Sequence, residues 1–360
     1  MKEILNNFDV VGEVESIVPF GEGHINATYK VTFKGTEKKY ILQQLNTDIF
    51  KDYEGVINNI LHVTKYLKNI IVENGGNPDR ETMTLIPAKS GKYYYMTDDN
   101  KCFRLYTFIS DSVCYQCAET PEQFASSGEA FGKFMRDLDK FDVNKLADIL
   151  PNFHNTVVRY QNLSSAVNKD SKNRLKNVTT EVKFFKDREN FYSTITNMLN
   201  NKEIPTRVTH NDTKLNNILF DAKTGNALCI IDLDTIMAGS LLYDFGDSVR
   251  FGCSTAREDE QDISKIHFDI NLYESYVEGF LKGIGNKITN KEFENLHNGA
   301  IMMTLECGMR FLTDYLEGDV YFKTAYDNHN LVRAHSQMIL AYEMEQQKDN
   351  MIAIAKKYNK

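Results

Sequence analysis

The chain has no tryptophan, only 6 prolines, no long apolar run and no excess of positive charge. Each absence excludes something. No stretch approaches the ~20 apolar residues of a membrane-spanning helix, and the start, Met1-Lys-Glu-Ile-Leu-Asn-Asn, lacks the apolar core of a secretory signal. A cytosolic location is the expectation. Forty-two basic against 50 acidic residues leave a formal net charge of -8, which argues against a nucleic-acid groove or an anionic membrane surface as the main partner. A phosphate site would therefore have to make its positive potential locally, with metal and a few cations. The 6 cysteines are scattered. Cys114-Tyr-Gln-Cys117 has the spacing of half a zinc site, yet no second pair completes it. Reduced, structural thiols are the reading.

What is present concentrates in two segments. Residues 210 to 217 read His-Asn-Asp-Thr-Lys-Leu-Asn-Asn, and the chain later runs Cys229-Ile-Ile-Asp-Leu-Asp234, with Asp232 20 positions after Asp212. Phosphoryl transfer needs a carboxylate to orient and deprotonate the attacking hydroxyl, and oxygen ligands to hold magnesium on the phosphates. Asp212 is the candidate base, Asn217 and Asp232 are candidate metal ligands, and Asp234 is a candidate second carboxylate ligand to the metal. Lys214, two residues after the base, could reach a terminal phosphate or could be an exposed loop lysine.

At 360 residues and 41.4 kDa, two lobes are expected. The first, residues 1–110, reads as a small antiparallel sheet with one main helix. Runs at 14–20, 28–33 and 39–45 are rich in β-branched and aromatic residues. Gly21 and Gly23, between the first two runs, suit a hairpin turn or a loop whose amides approach phosphates. Val56, Ile60, Val63, Leu67 and Ile70 form one helical face. Residues 101–109 form a last strand-like run before a hinge near 104–111, where adenine would stack and where Arg104 and Tyr106 are the candidate nucleotide contacts. The second lobe, residues 111–360, is mostly helical. One helix is marked by Phe124, Gly128, Phe131, Met135 and Leu138, its glycines permitting close packing. Residues 163–180, with Asn, Lys and Ser prominent, are the most loop-like stretch.

Two departures from protein kinases are visible. Their strand lysine and helix glutamate form an ion pair over the phosphates; here the strand carries Gln43 and Gln44, and the helix has no acid between Val56 and Ile71. Losing both together avoids a stranded buried charge. In addition, Asp244-Phe-Gly246 spells the magnesium-binding string of protein kinases. It is preceded by Gly239-Ser-Leu-Leu-Tyr and not by a buried-strand run, so Asp244 is expected to accept backbone hydrogen bonds around the Asp212 segment.

Val208 to Leu219, Ile231-Asp-Leu-Asp234 and Tyr243-Asp-Phe-Gly-Asp247 together resemble the aminoglycoside phosphotransferase and choline kinase group of small-molecule kinases. More narrowly, Gly21 to Tyr29, Tyr40 to Asn46 and Glu306 to Tyr321 resemble the N-acetylhexosamine 1-kinases. The resemblance spans nearly the whole chain. It implies an α+β, bilobal protein-kinase-like fold, and ATP- and magnesium-dependent phosphorylation of the anomeric hydroxyl of N-acetylglucosamine or N-acetylgalactosamine. It further implies that Asp212 is the base, that Asn217 and Asp232 hold the metal, and that His24, Asn26, Arg310 and Tyr321 contact the sugar. Alternatives stay open. Arg310 lies four residues from both Glu306 and Asp314, as in a helix-surface ion-pair ladder, and Tyr321 could be a packed aromatic beyond the helix-ending Gly318. Choline, an aminoglycoside or another alcohol could be the acceptor, although a quaternary ammonium favours an aromatic cage and tryptophan is absent. A nucleotide-binding regulator without turnover is the rival outside the enzyme class.

Overall fold

The computed structural model describes residues 1–21 and 25–358, so Gly23 and His24 lie outside the described residues. The chain forms two compact units. The first comprises Met1–Tyr115, Asp137–Pro151 and Asn217–Ala238; the second comprises Gln116–Arg136, Asn152–Asn216 and Gly239–Lys360. The first unit therefore runs past residue 110 and takes in two later segments.

Its main sheet is antiparallel, built from β1 (Val14–Pro19), β2 (Ala27–Phe33), β3 (Lys39–Leu45), β4 (Leu85–Ile86), β5 (Tyr95–Met96) and β6 (Cys102–Thr107) in the order β1-β2-β3-β6-β4, with β5 also on β6. Two-residue periodicity separates the faces. Val31, Phe33, Leu42, Phe103 and Leu105 point into an apolar core with Leu5, Phe8 and Ala88. The alternate residues carry the other face, where Thr28 pairs across to Gln43 and Gln43 to Arg104. The two-residue strands β4 and β5 are too short for sequence periodicity to register.

Helix Tyr53–Glu73 starts on Asp52, whose carboxylate accepts from the Gly55 amide at 2.9 Å. Val56, Ile60, Val63 and Leu67 are buried as expected, but the last buried position is Ile71 and not Ile70. Glu54, in the first turn, bonds Lys92 and Tyr94 and is half exposed. At the helix centre Asn59 donates to the Ala147 and Ile236 carbonyls, both at 2.9 Å, and accepts from the Ala147 amide at 2.8 Å. An uncharged side chain thus ties this helix to the segment just after Asp234.

The second unit is helical around Leu296–Glu317, a 22-residue helix buried along most of its length. It packs against helices Leu241–Gly252, Thr156–Lys169 and His329–Gln346, and ends at Gly318, whose φ of +105° is open to glycine without a Cβ penalty. Residues 163–169, expected as loop, belong to helix Thr156–Lys169. Asn155 caps its start, and Leu163 and Ala166 are buried; tertiary burial overrides the weak propensity of its Asn and Ser residues. Gly128 and Gly132 fulfil the close-packing expectation. A Cβ at Gly128 would stand 2.5 Å from the Tyr276 carbonyl oxygen, and Gly132 abuts Phe280 of the same helix, Ile270–Ile284. Gly128→Ala should therefore cost about 1–3 kcal/mol by overpacking. An unchanged denaturation midpoint would show that the two helices can separate freely.

Three of the cysteines, Cys102, Cys229 and Cys253, are buried thiols, whereas Cys114 and Cys117 are exposed, so the structural-thiol reading does not extend to that pair. Among the described residues no helix is long and apolar enough to cross a membrane.

Candidate functional site

In the second unit, Asp212 lies in the segment after strand Arg207–Thr209. Asn211, just before it, has φ +64°, a left-handed conformation uncommon outside glycine. That turn is held by Asp244. Its carboxylate accepts from the His210 amide at 2.7 Å and the Asn211 amide at 2.8 Å, while Thr213 donates to the Asp244 carbonyl at 2.6 Å and Ser248 to the Thr213 carbonyl at 2.7 Å. Asp244 is buried at the start of helix Leu241–Gly252. Burial dominates and pushes its carboxyl up to about 7, against the pull of the two amides and of His154. The Asp-Phe-Gly aspartate is thus spent on the backbone of the Asp212 segment, as its lack of a preceding buried strand suggests.

Asp212 itself is partly exposed and pairs with Lys214, Nζ to Oδ1 at 2.8 Å. The Asp212 carboxylate, opposed by burial and aided by Asp247, holds the lysine above the ordinary range, so Lys214 is a permanent cation. Asp247 in turn receives Nε of buried Arg250 at 2.9 Å, and Arg250 reaches Glu258 at 2.8 Å.

Arg310 and Tyr321 come together in this unit. The guanidinium centre of Arg310 lies 5.5 Å from the Phe153 and Phe322 ring centroids and 5.9 Å from that of Tyr321. The ion-pair ladder does not form, because both acids are engaged elsewhere. Glu306 lies 2.8 Å from His154 Nδ1 and accepts from Thr156 at 2.7 Å. Asp314 accepts the amides of Val320, Tyr321 and Phe322 and the Asn330 carboxamide. Burial works to raise the Glu306 carboxyl, but His154, Arg159 and the Thr156 hydroxyl outweigh it and hold it low. His154 Nε2 also lies 3.4 Å from the Asn211 carbonyl. Phe153 lies beneath Arg310, and its neighbour in sequence touches the residue before Asp212.

In the first unit, strands Ile218–Asp221 and Ala227–Ile230 form a hairpin in which Ile218 faces Ile230. One step further, the Ile231 amide donates to the Asn217 carbonyl at 2.9 Å. Asn217 and Asp232 therefore leave the same end of one hairpin. Asn217 is buried, Asp232 is exposed, and Asp232 has a left-handed φ of +58°.

Asp234 is buried and clamped on both oxygens. Arg104 Nη2 lies 2.5 Å from Oδ1, and Asn26 Nδ2 donates to Oδ2 at 2.6 Å. Asn26 also accepts from the Asn46 amide at 2.9 Å, so its carboxamide joins three chain segments. Arg104 further donates to Gln43 Oε1 through Nε at 3.0 Å and Nη2 at 2.6 Å. Burial opposes its charge, yet Asp234, Tyr106 and Asp232 more than offset this, so it stays protonated. Tyr106 stacks beside it, 5.1 Å from guanidinium to ring centroid. Gly21, at φ +78°, follows the end of β1, and among the described residues no atom would meet a Cβ there. Sequence reasoning missed Asn59 and His154, and the partners of Gln43, because these contacts are distant in sequence and no local spacing announces them.

The sequence model of the phosphotransferase enzyme family matches residues 16–278. Solved structures of similar fold include an ethanolamine kinase of Plasmodium vivax, 17% identical, covering 90% of this chain and 82% of that one at a TM-score of 0.54. An aminoglycoside phosphotransferase of Alicyclobacillus acidocaldarius is 12% identical over 97% and 96% of the two chains, with a TM-score of 0.59. Spectinomycin phosphotransferase in complex with ADP and spectinomycin is 15% identical over 96% and 97%, with a TM-score of 0.52. At such identities the likeness is one of fold: an antiparallel N-terminal sheet followed by a mainly helical remainder. The matched stretch contains both the Asp212 and the Asp232 segments, and this chain belongs to the phosphotransferase enzyme family.

Proposed function

We propose that the chain is an ATP-dependent kinase that phosphorylates the anomeric hydroxyl of a free N-acetylhexosamine. The observation that carries this reading is Arg310, which is set among Phe153, Tyr321 and Phe322 with no carboxylate partner among the described residues. Choline, ethanolamine and aminoglycosides are cations, and a guanidinium in the acceptor site would repel them. A neutral sugar instead offers ring faces to aromatics and adjacent oxygens to a planar set of donors. The chain of contacts from Phe153 through His154 to the Asn211 carbonyl brings this cluster near Asp212.

Asp212 would accept the proton of the sugar's O1 as that oxygen bonds to the γ-phosphorus; the bond from phosphorus to the β,γ-bridging oxygen breaks, and ADP leaves. Lys214, paired with Asp212 at 2.8 Å, would place a positive charge beside the transferring group. Asn217 and Asp232 offer hard oxygen donors, a carboxamide and a carboxylate, of the kind magnesium binds together with phosphate oxygens and water. When bound, the ion would neutralise developing charge on the phosphates. Gly21 would adjoin the nucleotide, whereas Arg104 and Tyr106, expected as nucleotide contacts, are buried and would not touch it.

A panel of acceptors with ATP and magnesium tests the reading. N-acetylglucosamine or N-acetylgalactosamine should be phosphorylated to a product without a reducing end, their methyl glycosides should be inert, and choline, ethanolamine and aminoglycosides should turn over far more slowly. A site built for hydroxyls rejects analogues that leave its polar groups unpaired, by factors of about 10⁴–10⁵. Phosphorus NMR showing a carbon 6 phosphate, or efficient turnover of a cationic acceptor, would sink it.

A further inference from the structure

We propose that Arg104 replaces the missing strand lysine, as a positioning residue that fixes the magnesium-binding turn through Asp234. The inference rests on the phosphotransferase reading above. In kinases the lysine comes from a strand next to the one that leads to the hinge. Here β3 offers Gln43 instead, and Gln43 faces Arg104 of β6 across the ladder. The cation has moved one strand over on the same face of the sheet. Arg104 leans back across Gln43, whose Oε1 receives both Nε and Nη2, and ends on Asp234.

The side chain of Arg104 is 1% exposed and that of Asp234 5%. Neither is open to a ligand, which makes this a holding device and not a ligand contact. What it holds is Asp232, two residues before Asp234. A left-handed aspartate persists only where its surroundings over-determine it. The turn is fixed from three sides: Arg104 and Asn26 grip the Asp234 carboxylate, and Asn59 donates to the carbonyl of Ile236. The planar fork matters as well as the charge, because a lysine ammonium could reach Asp234 or Gln43 but could not present two rigid donors to Gln43 while meeting the acid.

Isothermal titration of the full chain with ADP, with and without magnesium, tests this. In R104M/D234N both charges go together, so neither is stranded in the interior. The double variant should melt near the native temperature and bind metal-free ADP as the native protein does. It should need at least about tenfold more magnesium for half of the metal-dependent gain in affinity, the loss typical when the group that orients a metal ligand is removed. R104K should fall between the two. A native magnesium requirement in the double variant overturns the proposal. If that variant melts too low to titrate, a native requirement in R104K overturns it instead. Should the native protein bind no magnesium ADP, the kinase reading falls and this inference with it.

Discussion

Replacing Asp212 by asparagine should lower turnover by at least about two orders of magnitude while nucleotide affinity stays within a factor of about two, the contribution expected of a positioned general base. The fold gives little reason for the variant to fail structurally. The Asp212 segment is held through backbone amides by Asp244 and through Ser248, and none of those bonds uses the Asp212 carboxylate. The side chain is about one-third exposed, so asparagine is accommodated without a buried unsatisfied group. The ion pair with Lys214 is lost, and the lysine keeps its charge. Single-turnover kinetics beside nucleotide titration separate the two effects. A variant keeping more than a tenth of the native rate would remove Asp212 from the role of base.

Asp232 and Asp244 should fail in opposite ways. Asp232→Ala removes an exposed carboxylate from a hairpin end and should abolish turnover, or raise sharply the magnesium needed for it, with little change in melting temperature. Asp244→Asn should act on stability, with a pH dependence whose sign is set by burial. Burial pushes its folded carboxyl up to about 7, above the ordinary 3.8. Between those values the folded state holds a proton that the unfolded state has lost, so this group makes the native protein less stable as pH rises through that window. Asparagine does not titrate. It cannot accept both amides, so D244N should be destabilised at pH 5, and its deficit should shrink toward pH 8. Melting curves of both proteins at the two pH values check this. A deficit that grows with pH would mean that the charged carboxylate is favoured, and metal dependence altered only in D244N would reverse the roles of the two aspartates.

Much of the arrangement was legible because it is written at short range. The His-Asn-Asp segment, the run ending in Asp232 and Asp234, the strand periodicity at 14–45 and the glycines of helix Pro121–Asp137 each involve residues within a few positions of one another, where spacing alone constrains geometry. Asp244 could be assigned to the backbone because its preceding residues do not form a strand. Arg310 could not be resolved at that level. Its spacing to Glu306 and Asp314 satisfied the ion-pair rule, and only the tertiary structure shows Glu306 given to His154 and Thr156, and Asp314 to the turn at 320–322. Residues 163–169 read as loop for a related reason, since composition reports intrinsic propensity while Leu163 and Ala166 are buried by partners far along the chain.

By itself, then, the sequence determined the fold class and the phosphotransferase family, and it singled out a candidate base and candidate metal-binding side chains. These depend on local patterns of polarity and on residue types that few other chemistries require together. The tertiary structure decided which charges are committed to partners within the fold. Arg104, Gln43 and Asp234 lie 61 to 191 positions apart yet meet over one sheet face, and a buried charge is stable only where a partner is delivered to it. Which partner arrives is a property of strand order and register, which neighbouring residues do not encode.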